Sequence, residues 1–223
     1  SIVFSGIITV LVFSGFINSA VCWSILVVFL VLGWKNLSHG KKLLSVFNSP
    51  ISQPAEDSGL RNLTQSFLGL LALLSIGSAF APAFANDALV YHLAVPKAFL
   101  QTGGLVHLPN DIYSLFPQHI EMLYLFALVL GTDSLAQLTG LGIVFFLLFA
   151  LWHYSNKTME DSYAWLTPVF FFSTPTFFSL ASSACVELQA TTYIFLAFYC
   201  WENGCNRKQA SWFVLMTLFV VAA

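Results

Sequence analysis

Charge is what this sequence has least of. Only 8% of its 223 residues are Asp, Glu, Lys or Arg, against 58% that are hydrophobic. A soluble domain of that length needs far more charge to cover its surface, so the composition excludes one. The ten acids and eight bases leave a formal net charge of -2, which offers no basic field to a nucleic acid. Cysteine is scarce as well. Cys22, Cys185, Cys200 and Cys205 form no CxxC pair and sit mostly in apolar runs, a spacing that gives neither a disulfide framework nor a zinc site. Internal repeats are not visible, and the opening apolar run lacks the basic flank and cleavage site of a leader peptide. The chain starts at Ser1 inside one apolar run and stops inside another, "LMTLFVVAA", the pattern expected of a piece of a longer protein.

What the sequence has instead is a series of apolar blocks, at 1–17, 19–34, 63–85, 117–130, 135–154, 162–182, 187–201 and 211–223. A helix needs about 20 mostly apolar residues to cross a bilayer. The blocks therefore predict an all-α polytopic membrane protein with about seven transmembrane helices and two extracytoplasmic juxtamembrane helices. The block at 117–130, "PQHIEMLYLFALVL", rises only about 21 Å as a helix, short of a hydrocarbon core near 30 Å. It is expected to lie on the outer surface or to re-enter.

Basic residues orient the chain, because loops rich in Lys and Arg stay cytoplasmic. With 117–130 outside, Lys35, Lys41, Lys42, Arg61, Lys157, Arg207 and Lys208 all face the cytoplasm and only Lys97 lies outside. A spanning 117–130 would split the eight evenly. The preferred topology divides the chain into a transmembrane hairpin with a basic loop (1–62) and a membrane core (63–223) whose segment 86–134 is an extracytoplasmic excursion. The sequons at Asn36, Asn62 and Asn156 then fall on the cytoplasmic side, where they are expected to stay unmodified.

The excursion opens with "NDALVYHLAVPKAFLQTGG". Leu89, Leu93, Pro96 and Leu100 make a helical stripe that can rest on a membrane, with Asp87 and Tyr91 on another side. Pro96 is expected to kink this helix and Gly103-Gly104 to end it. A turn-rich connector, "LVHLPNDIYSLFPQH", leads to the second flat helix. Asp87 fits a helix N-cap as well as a functional acid. Glu121, one turn into the second helix, is expected to face water or to complement the helix N-terminus. Glu187 stands within or at the outer edge of an apolar segment, where an ionisable side chain points to function. On this topology it shares a face with Asp87, and two such carboxylates can hold a divalent cation or act as base and orienter. His92, His107 and His119, spaced by 15 and 12, match no compact metal motif and are expected as solvated or hydrogen-bonded surface groups.

A spanning helix, an outer loop opening with "D-x-x-x-Y-H", a flat helix, the segment "YS-x-FPQ-x-x-EMLYLFAL-x-LG" and a later acid at the outer start of a helix together resemble the GT-C class of membrane glycosyltransferases. The likeness is to the bacterial branch of aminoarabinose and Rgt-type sugar transferases, more distantly to protein O-mannosyltransferases, and covers about residues 63–202. It implies transfer of a sugar from a polyprenyl-phosphate carrier to an acceptor at the outer face of the cytoplasmic membrane. Its acids would be Asp87 and Glu187, catalytic or metal-associated. Tyr91 and His92 would line the cavity and bond the sugar, Glu121 would be a secondary substrate contact, and Lys97 would attract the carrier phosphate or snorkel to lipid headgroups. Many members of the family have Asp-Glu where this chain has Asp87-Ala88, and commonly Asp where it has Glu187. Whether a divalent metal takes part, and which acid is the base, stay open. The partners implied are the lipid-linked donor and membrane lipids. The rival reading is a transporter fragment with Glu187 as a binding or coupling acid.

Overall fold

The computed structural model describes residues 2–34, 58–109, 111–116, 118–158 and 163–223. Lys35, His39, Lys41 and Lys42 of the basic loop, the Asn36 sequon, Asn110 and Pro117 lie outside the described residues. The described residues form helices and no strand: α1 (Ile2–Phe13), α2 (Ser19–Trp34), α3 (Ser58–Phe80), a π-helical turn (Ala88–His92), α4 (Ala94–Thr102), a 3-10 turn (Ile112–Leu115), α5 (His119–Leu130), α6 (Asp133–Thr158), α7 (Leu166–Phe172), α8 (Pro175–Ala181), α9 (Glu187–Arg207) and α10 (Ala210–Ala222).

Two of these are long and apolar enough to cross a membrane, Gly59–Phe80 within α3 and the whole of α6. The apolar window of α3 is only 11% buried, so it is not the core helix of a soluble protein. Its exposed leucines call for an apolar surround. The count of about seven spans is supported only as far as these two. α1, α2, α5 and α10 are apolar but run to 12, 16, 12 and 13 residues, and even 16 residues rise only about 24 Å. The block at 162–182 is not one helix. Pro175 has no N–H to continue α7, so the chain restarts as α8, and the Ser173 and Thr174 hydroxyls donate to the Phe170 carbonyl at 3.1 and 3.2 Å.

α5 is not a surface helix. Every residue from Ile120 to Ala127 is buried, with α1, α2, α4 and α6 packed around it. The reason is legible in "HIEMLYLFALVL": a helix apolar all round has no face to give to water. Ile8, Val12, Val95, Phe99, Met122 and Leu125 make one apolar cluster on it, and Ala88, Leu93, Tyr124, Ala136, Ala184 and Tyr193 make another toward α6 and α9.

α4 ends as expected, at Gly103 with φ 74°. Pro96 produces no kink, because the helix begins at Ala94 and Pro96 falls in its first turn, where an N–H has no helical partner to lose. Leu93, Val95, Pro96 and Phe99 are buried, while Leu89 of the expected stripe is exposed. The π-turn inserts a residue into the helical repeat and shifts the register upstream of Leu93.

Candidate functional site

Asp87 is placed by the junction of α3 and α6. The carbonyls at the end of α3 lack helical partners. Gln137 of α6 donates to Ala79 O at 3.3 Å and Ala81 O at 2.8 Å, and Ser134 to Phe80 O at 3.1 Å. The short linker that follows delivers Asp87 to the π-turn, closed by Leu93 N–H donating to Ala88 O at 2.9 Å. Asp87 is exposed, helical in its own backbone, and makes no capping hydrogen bond. It is not serving as a helix cap.

Glu187 is the first residue of α9 and is also exposed, its charge complementing the free N–H groups there. Cys185, just before it, is buried and joins the two acids' surroundings. Its carbonyl accepts from the Tyr124 hydroxyl of α5 at 2.6 Å, and the backbone N–H of Ala88 lies close enough to its sulfur to favour the thiolate. The residue after Asp87 thus lies beside the residue two before Glu187.

The electrostatics report the same convergence. Burial first, then the charges of Asp87 and Glu187, push the Tyr91 phenol up to about 12. Burial first, then Glu187 and Asp87, push the Cys185 thiol up to about 11, with the Ala88 N–H pulling the other way. Both carboxylates therefore act on the same phenol and the same thiol, although 100 positions separate them in sequence. Among the described residues neither acid is in an ion pair. Tyr91 is further fixed by stacking on Tyr113, with ring centroids 4.2 Å apart and planes at 11°. Tyr113 is held by its own turn: its N–H donates to Asp111 Oδ1 at 2.9 Å and its carbonyl accepts from Gln118 Nε2 at 3.0 Å.

Three candidates stand differently from expectation. His92 and Glu121 are neither solvated nor at the surface. Both are buried, and His92 Nδ1 lies 2.9 Å from Glu121 Oε1, tying the π-turn to α5. The cause is again the all-apolar α5, which draws Glu121 inward and gives it one partner. Lys97 is not a free cation: its Nζ is 2.8 Å from the Asp133 carboxylate, linking α4 to the start of α6. Of the other histidines, His107 is exposed and His119 bonds the Ser5 hydroxyl at 2.7 Å.

The sequence pattern singles out none of Tyr124, Tyr113 and Gln189, and assigns Cys185 no role. Gln189 is fully buried beside Gly140, where a Cβ would meet Gln189 Nε2 at 2.6 Å and the Tyr124 hydroxyl at 2.9 Å. Tyr113 and Tyr124 lie inside the motif "YS-x-FPQ-x-x-EMLYLF", which was the available signal; Cys185 had none beyond its nearness to Glu187.

Asp87 and Glu187 could give oxygen donors to a hard cation, which takes about six or more. Among the described residues no group of three or more His, Cys, Asp or Glu side chains is placed to hold a metal ion. No family model matches this chain, and neither does any curated protein or solved structure.

Proposed function

We propose that this chain is the acid-bearing part of a membrane glycosyltransferase, moving a sugar from a polyprenyl-phosphate donor to a hydroxyl acceptor at one face of a multi-pass membrane protein. What supports the reading is that two carboxylates 100 positions apart, Asp87 and Glu187, both lie near enough to the Tyr91 phenol to raise it. On this reading Asp87 takes the proton of the acceptor hydroxyl while its oxygen attacks the anomeric carbon. The bond from that carbon to the carrier phosphate breaks, the electron pair leaves on the phosphate, and the proton passes from Asp87 to water. Glu187 orients the acceptor. Tyr91 keeps its proton at neutral pH and donates a hydrogen bond to the sugar. His92 and Glu121 hold the π-turn, and Lys97 fixes α4. In this assignment Asp87 and Glu187 face outside the cytoplasmic membrane, and the shorter apolar helices are accommodated by local thinning of the bilayer and by packing on their neighbours.

A transporter draws on one observation, the helix broken at Pro175, because interrupted helices often line substrate paths. The exposed position of Glu187 at a helix start favours chemistry at the interface instead. The test is sugar transfer from a polyprenyl-phosphate donor by membranes carrying the full-length protein and its Asp87→Asn variant. The proposal expects a loss of about 10²- to 10⁴-fold, the usual worth of a general base, at normal insertion. Equal transfer by the two proteins would remove Asp87 from the chemistry.

A further inference from the structure

The end of the bundle opposite Asp87 and Glu187 carries a second cluster. α9 has 21 residues, a rise of about 31 Å from its first residue to its last. Its first residue is Glu187 and its last is Arg207. α6 runs from Asp133 to Thr158 and brings Lys157 to the same end. There the cations are arranged on rings. Lys157 Nζ lies 5.5 Å from the centre of the Tyr199 ring, and the Arg207 guanidinium 5.7 Å from that of Trp212. Tyr154, Tyr199 and Trp212 form a row, each edge-on to the next, at 6.2 and 6.3 Å. Glu202 is an acid on the same stretch of α9.

The turn between α9 and α10 adds an independent observation. Lys208 has φ 52°, the sole positive value at a non-glycine residue among the described residues, and its N–H closes α9 on Gly204 O at 2.9 Å. Glycine takes this left-handed cap without cost. A lysine is nevertheless in place, exposed beside the exposed Arg207. The hairpin beneath is tight, because the Phe213 ring rests where a Cβ on Gly204 would meet it at 3.0 Å.

We propose that this end is a binding surface for anionic phospholipid headgroups, with Lys157, Arg207 and Lys208 engaging the phosphate and Tyr199 and Trp212 seated at the headgroup boundary. Aromatic rings favour that boundary, and cations held over them are oriented rather than freely mobile. Basic residues near an anionic leaflet gain from it, about fivefold in binding for each. The surface stands whether or not Asp87 and Glu187 transfer sugar.

The experiment reconstitutes the full-length protein with phosphatidylglycerol or phosphatidylcholine and counts retained lipid by native mass spectrometry. Three proteins are compared: parent, Lys208→Gly, and Lys208→Gly combined with Lys157→Gln and Arg207→Gln. The single variant relaxes the turn and keeps the fold, and should lose about fivefold in phosphatidylglycerol retention. The triple variant should lose the preference for phosphatidylglycerol, as should the parent at high salt. Parent-like retention by the folded triple variant, or equal retention of both lipids by the parent, overturns the proposal.

Discussion

Replacing Glu121 by alanine tests whether the buried His92–Glu121 pair holds the π-turn in place. The two side chains are 2% and 8% exposed and 2.9 Å apart. Removing one member of such a pair strands the other's polar atoms in an apolar surround, at a cost of about 3–5 kcal/mol. Glutamine keeps an oxygen within reach of His92 Nδ1, so Glu121→Gln should cost only about 1 kcal/mol, the worth of an ordinary buried hydrogen bond. In a chain of this size each kcal/mol moves the thermal midpoint by about 2–4 °C. Glu121→Ala should therefore melt about 6–20 °C below the parent and Glu121→Gln only a few degrees below it, measured in one detergent by differential scanning fluorimetry. An alanine variant melting within about 1 °C of the parent would refute the reasoning and return Glu121 to the role of a surface acid.

Gly140→Ala puts a Cβ 2.6 Å from Gln189 Nε2 and 2.9 Å from the Tyr124 hydroxyl; the amide can swing but the bonded tyrosine cannot, so a loss of about 1–3 kcal/mol is expected by thermal melting. Tyr124→Phe leaves the buried Cys185 carbonyl without its donor and should cost a similar 1–3 kcal/mol (about the penalty of an unmet buried acceptor) in the same assay. Asp133→Asn breaks the pair with Lys97, whose side chains are 42% and 32% exposed. It should change stability by less than about 1 kcal/mol, and the difference from the parent should shrink at high salt.

The helices themselves were legible from hydrophobic runs, and Gly103 from its place after a helical stripe. Lengths and depths were not. The block at 162–182 reads as one apolar run, yet Pro175 divides it, because hydropathy does not register a missing N–H. α5 is too short to span, and its lack of a polar face buries it together with Glu121 and His92, where the sequence pattern alone leads to an expectation of surface positions. The pairing of Asp87 with Glu187 was read from topology alone. The contacts around the two acids, a hydrogen bond from Tyr124 to the Cys185 carbonyl and the approach of Ala88 to the Cys185 sulfur, join residues 61 and 97 positions apart, a distance no local pattern spans. The π-turn is a further case: one extra residue separates an exposed Leu89 from a buried Leu93, and sequence periodicity assumes no such insertion.

The convergence of the two acids on Tyr91 is tested most directly by titrating that phenol. Ring-labelled tyrosine, with Tyr91 assigned by Tyr91→Phe, can be followed by NMR from pH 9 to 11.5 in nanodiscs. A phenol raised to about 12 stays protonated at pH 11, where an ordinary tyrosine, near 10, is mostly ionised. The folded state, holding this proton more tightly, has its full stabilisation below pH 10 and loses it as the pH rises toward 12. Asp87→Asn and Glu187→Gln each remove a negative charge that opposes the phenolate, so each should bring the Tyr91 titration down toward the ordinary value. A Tyr91 that titrates near 10 in the parent, or that neither substitution moves, would contradict a shared site for the two acids.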